Sequence, residues 1–137
     1  KTEPAKVAAK DWQNTASPLR GLLEGKNLRT NVTLIRFVTD VIGKGPTLHV
    51  HPYDEIFTIT EGRARFTVGD KVIDAEAGDI VLGPANIPHG YQNLGPGRLD
   101  SLDIHLSPEW IQYNLASSWD RSSVLISAES KVNTSAD

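Results

Sequence analysis

Three histidines and one glutamate have the types and spacing to do chemistry. In "TLHVHPYDEIF", His49 and His51 flank a single valine and Glu55 follows on the return; His89 comes later, in "NIPHGYQN". Imidazole nitrogens with a carboxylate oxygen are the donor set for a borderline divalent ion such as Fe, Mn, Ni, Cu or Zn. On a strand, successive side chains alternate between faces, so His49 and His51 share one face and Val50 takes the other. A helix would bring His51 and Glu55 together but part the two histidines, and the residue before Pro52 is biased away from helical backbone. The strand reading therefore prevails. Pro52 ends the strand, "PYD" turns the corner, and Glu55 hangs its carboxylate over the same point, with Phe57 and Ile59 behind it. His89 follows Pro88 at the start of another strand, whose face carries His89, Tyr91 and Asn93. Any one of these residues alone is more often a packed or solvated side chain than a ligand. Together, four coordinating groups on an inward face would be costly to bury without an ion.

Composition narrows what else the chain can be. Its 137 residues suit one domain with a core of its own. With no cysteine, there are no disulfides, thiolate nucleophiles or Cys-held metals, and any ion must bind N and O donors. A net charge of −3 and no polybasic face argue against nucleic acid and anionic lipid as partners. No apolar run reaches the roughly 20 residues of a membrane-spanning helix, and no signal segment stands at the start. The expectation is a soluble protein, cytoplasmic or exported after processing. A chain without methionine that begins at Lys1 reads as one trimmed from a longer product.

The elements that must position these residues are short. Residues 1–30 read as an N-terminal arm in which Leu19, Leu22 and Leu23 can dock, as such arms often do across a subunit boundary. From Asn31 the texture becomes β-type runs separated by turn residues, with turn signals about every eight to twelve residues, as in antiparallel sandwiches and barrels. The fold class expected for residues 31–106 is all-β, an antiparallel barrel or jelly roll. After it, "SPEWIQYNLASSW" offers Ser107 as an N-cap, Pro108 at the first helical position and Glu109 at the positive end, predicting one helix over 107–119. Residues 120–137 form a polar tail. The arm and the uncovered sheet edges favour a homodimer.

At this point the sequence resembles the cupins, in particular the small single-domain metal-binding kind. Gly43, His49, His51, Glu55 and Gly62 meet every fixed position of the first cupin motif, and Gly78, Pro84, His89 and Asn93 meet the second. One position departs, because the second motif's inner glycine is Asn86 here. Asparagine tolerates the left-handed backbone that such a glycine serves, so the turn is expected to survive. The resemblance spans roughly residues 31–106. It implies a barrel holding one divalent transition metal on His49, His51, Glu55 and His89, with iron favoured and Mn, Ni, Cu or Zn open.

Function is read from that ligand set. Four protein ligands on an octahedral ion leave adjacent positions for water, oxygen or a chelating substrate. The set resembles that of cupin dioxygenases and oxalate-type enzymes, while cupin lyases, isomerases and ligand-binding proteins share it. Two-domain storage and oxalate decarboxylase types need about twice this length, and the transcription-factor branch needs a helical DNA-binding domain. The sugar-epimerase branch typically works without metal. The reading is a metal-dependent dioxygenase of a small organic molecule. The alternatives are a lyase or isomerase of a sugar acid, which an inward-facing Arg36 would support, and a binding protein that does no chemistry. His105, on the last β run, and Tyr91 are the candidate catalytic side chains. Phe57, Ile59, Tyr91 and Trp110 either line the cavity or fill the core.

Overall fold

Alternating apolar and polar residues in "TLIRFVT", "EIFTITE" and "RARFTV" commit these runs to strands with one buried face. The computed structural model describes residues 2–17, 19–116 and 130–131. Its strands are β1 (Gly21–Leu23), β2 (Thr33–Thr39), β3 (His49–Val50), β4 (Glu55–Glu61), β5 (Arg63–Val68), β6 (Lys71–Glu76), β7 (Ile80–Gly83), β8 (His89–Asn93), β9 (Leu99–His105), β10 (Tyr113–Asn114) and β11 (Ser130–Lys131). They form two antiparallel sheets, ordered β1-β2-β9-β4-β7 and β11-β10-β3-β8-β5-β6.

The core lies between the sheets. Phe37, Phe57 and Ile59 from the first sheet meet Ala64, Phe66 and Tyr91 from the second. The rings of Phe57 and Phe66 are 4.9 Å apart, and Tyr91 sits edge-on to Phe37 at 5.8 Å. Aromatic packing of this kind adds to the burial of apolar area and locks the two inner faces in register. The chain passes from the first sheet to the second at Gly62, whose φ is +86°. A Cβ there would lie 2.1 Å from the Arg98 carbonyl oxygen, so the corner requires glycine. Asn86 has φ +64°, the left-handed conformation expected of it.

The outer face of the first sheet is also apolar. Pairing aligns Leu23 with Leu34, Leu34 with Ile104, Ile104 with Ile56 and Ile56 with Leu82, so one aliphatic row crosses all of its strands. Leu82 is 54% exposed and Ile80, one outward step along β7, is 70% exposed.

Two expectations are corrected. The strands do not close into one barrel; among the described residues they remain two sheets, and the β4–β9 ladder shifts register between Ile59 and Glu61 as the chain nears the corner. The predicted helix over 107–119 is absent across its described part. Ser107 Oγ does cap locally, accepting the Glu109 N–H at 3.2 Å, but it also donates to the Glu109 carbonyl at 2.7 Å and closes a turn. The next N–H, of Trp110, donates to Glu24 Oε2 at 2.9 Å. The chain then extends, pairing Tyr113 with Val50 and Asn114 with His49. An open edge beside β3 thus outcompetes a short helix with good capping residues. Residues 117–119, and the tail apart from Ser130–Lys131, lie outside the described residues. In the N-terminal segment, β1 joins the first sheet beside β2. Among the described residues no helix is long and apolar enough to cross a membrane.

Candidate metal centre and its cavity

β3 and β8 pair at a single position, His49 opposite His89, so the second sheet brings these two imidazoles side by side. His51 follows at the corner, and β4 begins with Glu55 on the facing sheet. The ligating atoms of His49, His51, Glu55 and His89 all lie within 4.8 Å of one another, and all four residues are buried. The four side chains singled out by spacing are therefore brought together.

Hydrogen bonds on the far ring atoms fix what each imidazole presents. His49 Nδ1 lies 2.6 Å from the Thr47 carbonyl oxygen, His51 Nδ1 3.0 Å from that of Tyr53, and His89 Nδ1 3.2 Å from that of Ile87. A carbonyl oxygen only accepts, so each Nδ1 carries a proton and each ring turns its Nε2 inward. Yet His51 Nε2 and His89 Nε2 stand 2.7 and 3.1 Å from the same oxygen, Glu55 Oε1. At these distances a positive charge must join each ring to that oxygen, supplied by a proton on Nε2 or by a metal ion held by both groups. That donor arrangement fits a borderline divalent ion, and His49, His51, Glu55 and His89 are the residues that could hold one.

Electrostatics agree. Burial, aided by His89, lowers the pKa of His49 to about 3, and burial also lowers that of His51, so these rings stay neutral and able to ligate. Burial pushes the Glu55 carboxyl up, but His105, His51 and His89 outweigh it and hold it well below the usual carboxylate range.

His105 is placed differently. Its Nε2 is 3.1 Å from Glu55 Oε2, and its Nδ1 is 2.8 Å from the Tyr53 hydroxyl. The one Tyr53 hydroxyl proton has two acceptors in reach, His105 Nδ1 at 2.8 Å and the Ile111 carbonyl at 3.2 Å; given to the nearer Nδ1, it leaves the His105 Nε2–H to donate to Glu55, which only accepts. His105 thus offers the centre a proton donor rather than a lone pair. Tyr53 is anchored in turn by the Ile111 N–H at 3.1 Å, and its ring stacks on His51 at 4.4 Å. Burial, the largest influence, raises the Tyr53 pKa, keeping the hydroxyl protonated.

The centre opens into a cavity of about 380 Å³, walled on its apolar side by Trp12, Leu22, Ile35, Phe37 and Phe57. His49, Glu55, His105, Tyr91 and Asp103 supply its polar wall. Of the residues read as either cavity lining or core, Trp110 lines the cavity, whereas Ile59 belongs to the core between the sheets. Leu22, read as a docking residue of the arm, faces this chain's own cavity. The Tyr91 hydroxyl donates to Asp103 Oδ2 at 2.6 Å and lies 3.0 Å from Ser101 Oγ. Arg36 alternates to the outer side of β2 from Ile35 and Phe37 and pairs through both Nε and Nη2 with the Asp100 carboxylate. The inward anionic-group partner considered for it is therefore not formed.

Sequence reasoning missed Tyr53, Ser101 and Asp103. Alternation in "LDSLDIH" places Ser101, Asp103 and His105 on one face, and three polar residues on the inward face of a strand was the available signal. Tyr53 had none, since its role depends on a corner meeting β9.

Comparison with known proteins agrees with this architecture. Residues 36–105, just over half the chain, match the profile of the cupin domain family. The acireductone dioxygenase of Geobacillus kaustophilus is 27% identical over 81 residues, 54% of this chain and 45% of that protein. The chain thus spans under half the length of that curated relative. Among solved structures, oxalate decarboxylase from Bacillus subtilis superposes with a TM-score of 0.64 at 22% identity, over 70% of this chain and 27% of that one. An uncharacterized conserved protein with a double-stranded β-helix domain from Klebsiella pneumoniae gives 0.59 at 21% identity, over 78% of this chain and 93% of its own. The last two likenesses are of fold. With the profile matched over most of both sheets and the motif residues gathered in one buried centre, this chain belongs to the cupin domain family.

Proposed function

We propose that this chain is a metal-dependent cupin enzyme that oxidises a small chelating organic molecule, as a dioxygenase. The observation that carries the reading is the convergence of three imidazoles and one carboxylate at the wall of a partly apolar cavity of about 380 Å³, a size for a small molecule rather than a polymer. A bound divalent transition ion would supply Lewis acidity and, when redox-active like iron, electrons for the reaction with oxygen. The N and O donors suit iron, manganese, nickel, copper or zinc, and iron is the ion proposed here. The chain's own residues do the rest. His49, His51, His89 and Glu55 hold the ion. His105 keeps a proton at Nε2 within reach of Glu55 Oε2 and the cavity, and Tyr53 orients it. Phe37 and Phe57 exclude water from the apolar side. Likeness to a dioxygenase over 81 residues supports the same reaction class. For the lyase or isomerase reading, Arg36 borders the cavity but its guanidinium is already paired with Asp100.

The test is oxygen consumption by iron-loaded protein with small diketones, acyclic enediols, catechol-like compounds, hydroxy acids and uronates. Stoichiometric oxygen uptake with one of these is the expected result. Turnover undiminished under strict anaerobiosis would instead establish a lyase or isomerase, and saturable binding without turnover a carrier or sensor.

A further inference from the structure

Asp103 is a buried carboxyl that the metal centre does not use. It is 3% exposed and lines the cavity. Its Oδ2 accepts the Tyr91 hydroxyl at 2.6 Å, and the Tyr91 oxygen is itself 3.0 Å from Ser101 Oγ. Its Oδ1 has no hydrogen-bond partner among the described residues. Buried carboxylate oxygens are almost always paired, so an orphan beside a cavity marks a place where something else supplies the partner. The Oδ2 contact holds the side chain in place, because Tyr91 packs against Phe37, Phe57 and Phe66.

Strand pairing gives the position. Asp103 lies opposite Phe57, and His105 opposite Glu55. Asp103 is therefore one inward-facing step from the centre, about 7 Å along the strand. The wall nearby includes the apolar rings of Phe37 and Phe57, with the Arg20 guanidinium over the Phe37 ring.

We propose that the Asp103 carboxyl, held in place by Tyr91 and Ser101, is a ligand subsite that hydrogen-bonds a hydroxyl group carried about 7 Å from the ligand's metal-chelating end. This deepens the proposed function and rests on its reading that the cavity takes a chelating small molecule. A hydroxyl suits the site in either protonation state. Burial, followed by the Glu55 charge, pushes the Asp103 carboxyl well above the carboxylate range against the pull of Tyr91 and Ser101. The neutral acid donates from Oδ1, and the ionised one accepts there. Tyr91 is on this account a positioning residue that aims the carboxyl.

The test compares 2-oxopentanoate with 5-hydroxy-2-oxopentanoate by titration calorimetry on the full, metal-loaded chain. The hydroxy acid should bind about tenfold tighter to the wild type, the worth of one buried hydrogen bond to a polar group. Asp103→Ala should erase that gain while leaving affinity for 2-oxopentanoate within about threefold, and Asp103→Asn should retain most of it. Metal content and 2-oxopentanoate binding in the same samples report on the underlying metal reading independently of Asp103. Equal behaviour of the two acids toward the wild type, including binding of neither, overturns the subsite, and so does a gain that survives Asp103→Ala. The wild-type comparison decides alone if the alanine variant does not fold.

Discussion

His105 Nε2 and Glu55 Oε2 stand 3.1 Å apart, while the other carboxylate oxygen, Oε1, faces His51 and His89. One oxygen is thus pinned by a donor and the other is left to the centre. Outer contacts of this kind typically tune metal affinity or activity by 10- to 100-fold. His105→Ala should therefore still fill with metal at saturation but bind it about tenfold more weakly, with a larger loss of turnover. Competition with a chromogenic chelator measures this. Complete loss of metal in His105→Ala would make His105 a ligand and refute its role as an orienting donor.

The metal-free protein should be acid-labile. Burial lowers the His49 pKa from its ordinary 6.5 to about 3. Between those values the unfolded chain binds a proton that the folded chain does not, so stability rises with pH across the window and is lost as pH falls through it. Near pH 4 the loss from this one residue amounts to about 3 kcal/mol. Glu55, held below the usual carboxylate range, acts in the same direction: its contribution is present above its unfolded pKa and disappears as pH falls. Thermal melts of chelator-treated protein should show a falling Tm from neutral pH to pH 4, with a shallower fall in His49→Gln. A melting temperature independent of pH over that range would contradict the burial of a neutral His49.

The aliphatic row Leu23, Leu34, Ile104, Ile56 and Leu82 on the outer face of the first sheet is the surface through which two chains are expected to pair. Leu82 and Ile80 leave it substantially exposed in the single chain. Sedimentation equilibrium at micromolar concentration should give a dimer, and Ile104→Arg or Leu82→Arg a monomer, because an unpaired guanidinium would be buried at the contact. A monomeric wild type at that concentration would rule the pairing out.

How much of this was legible in the sequence depends on how far each inference had to reach along the chain. His49, His51 and Glu55 could be read because strand alternation and one proline corner are local, and Asn86 because its left-handed tolerance is intrinsic. His89 was found by its own strand start. Asp103 and Tyr53 were not read, since the first acquires meaning only when the β4–β9 register places it one step from Glu55, and the second only when the corner meets β9. The helix after Ser107 failed for the opposite reason. Its capping signals were sound locally, but Glu24 claimed the Trp110 N–H and the β3 edge claimed Tyr113 and Asn114. Arg36 shows the same limit: the sequence left its face open, and only the pairing with Asp100 showed what it meets.

The central claim is that His49, His51, Glu55 and His89 together hold one transition ion, and elemental analysis of protein purified without chelators tests it most directly. The account predicts about one ion per wild-type chain and less than about a tenth of that in His51→Ala, because the remaining ligands would face an incomplete and hydrated centre. A folded wild type that takes up no transition metal even when it is supplied, or a His51→Ala variant that keeps its full complement, would contradict it.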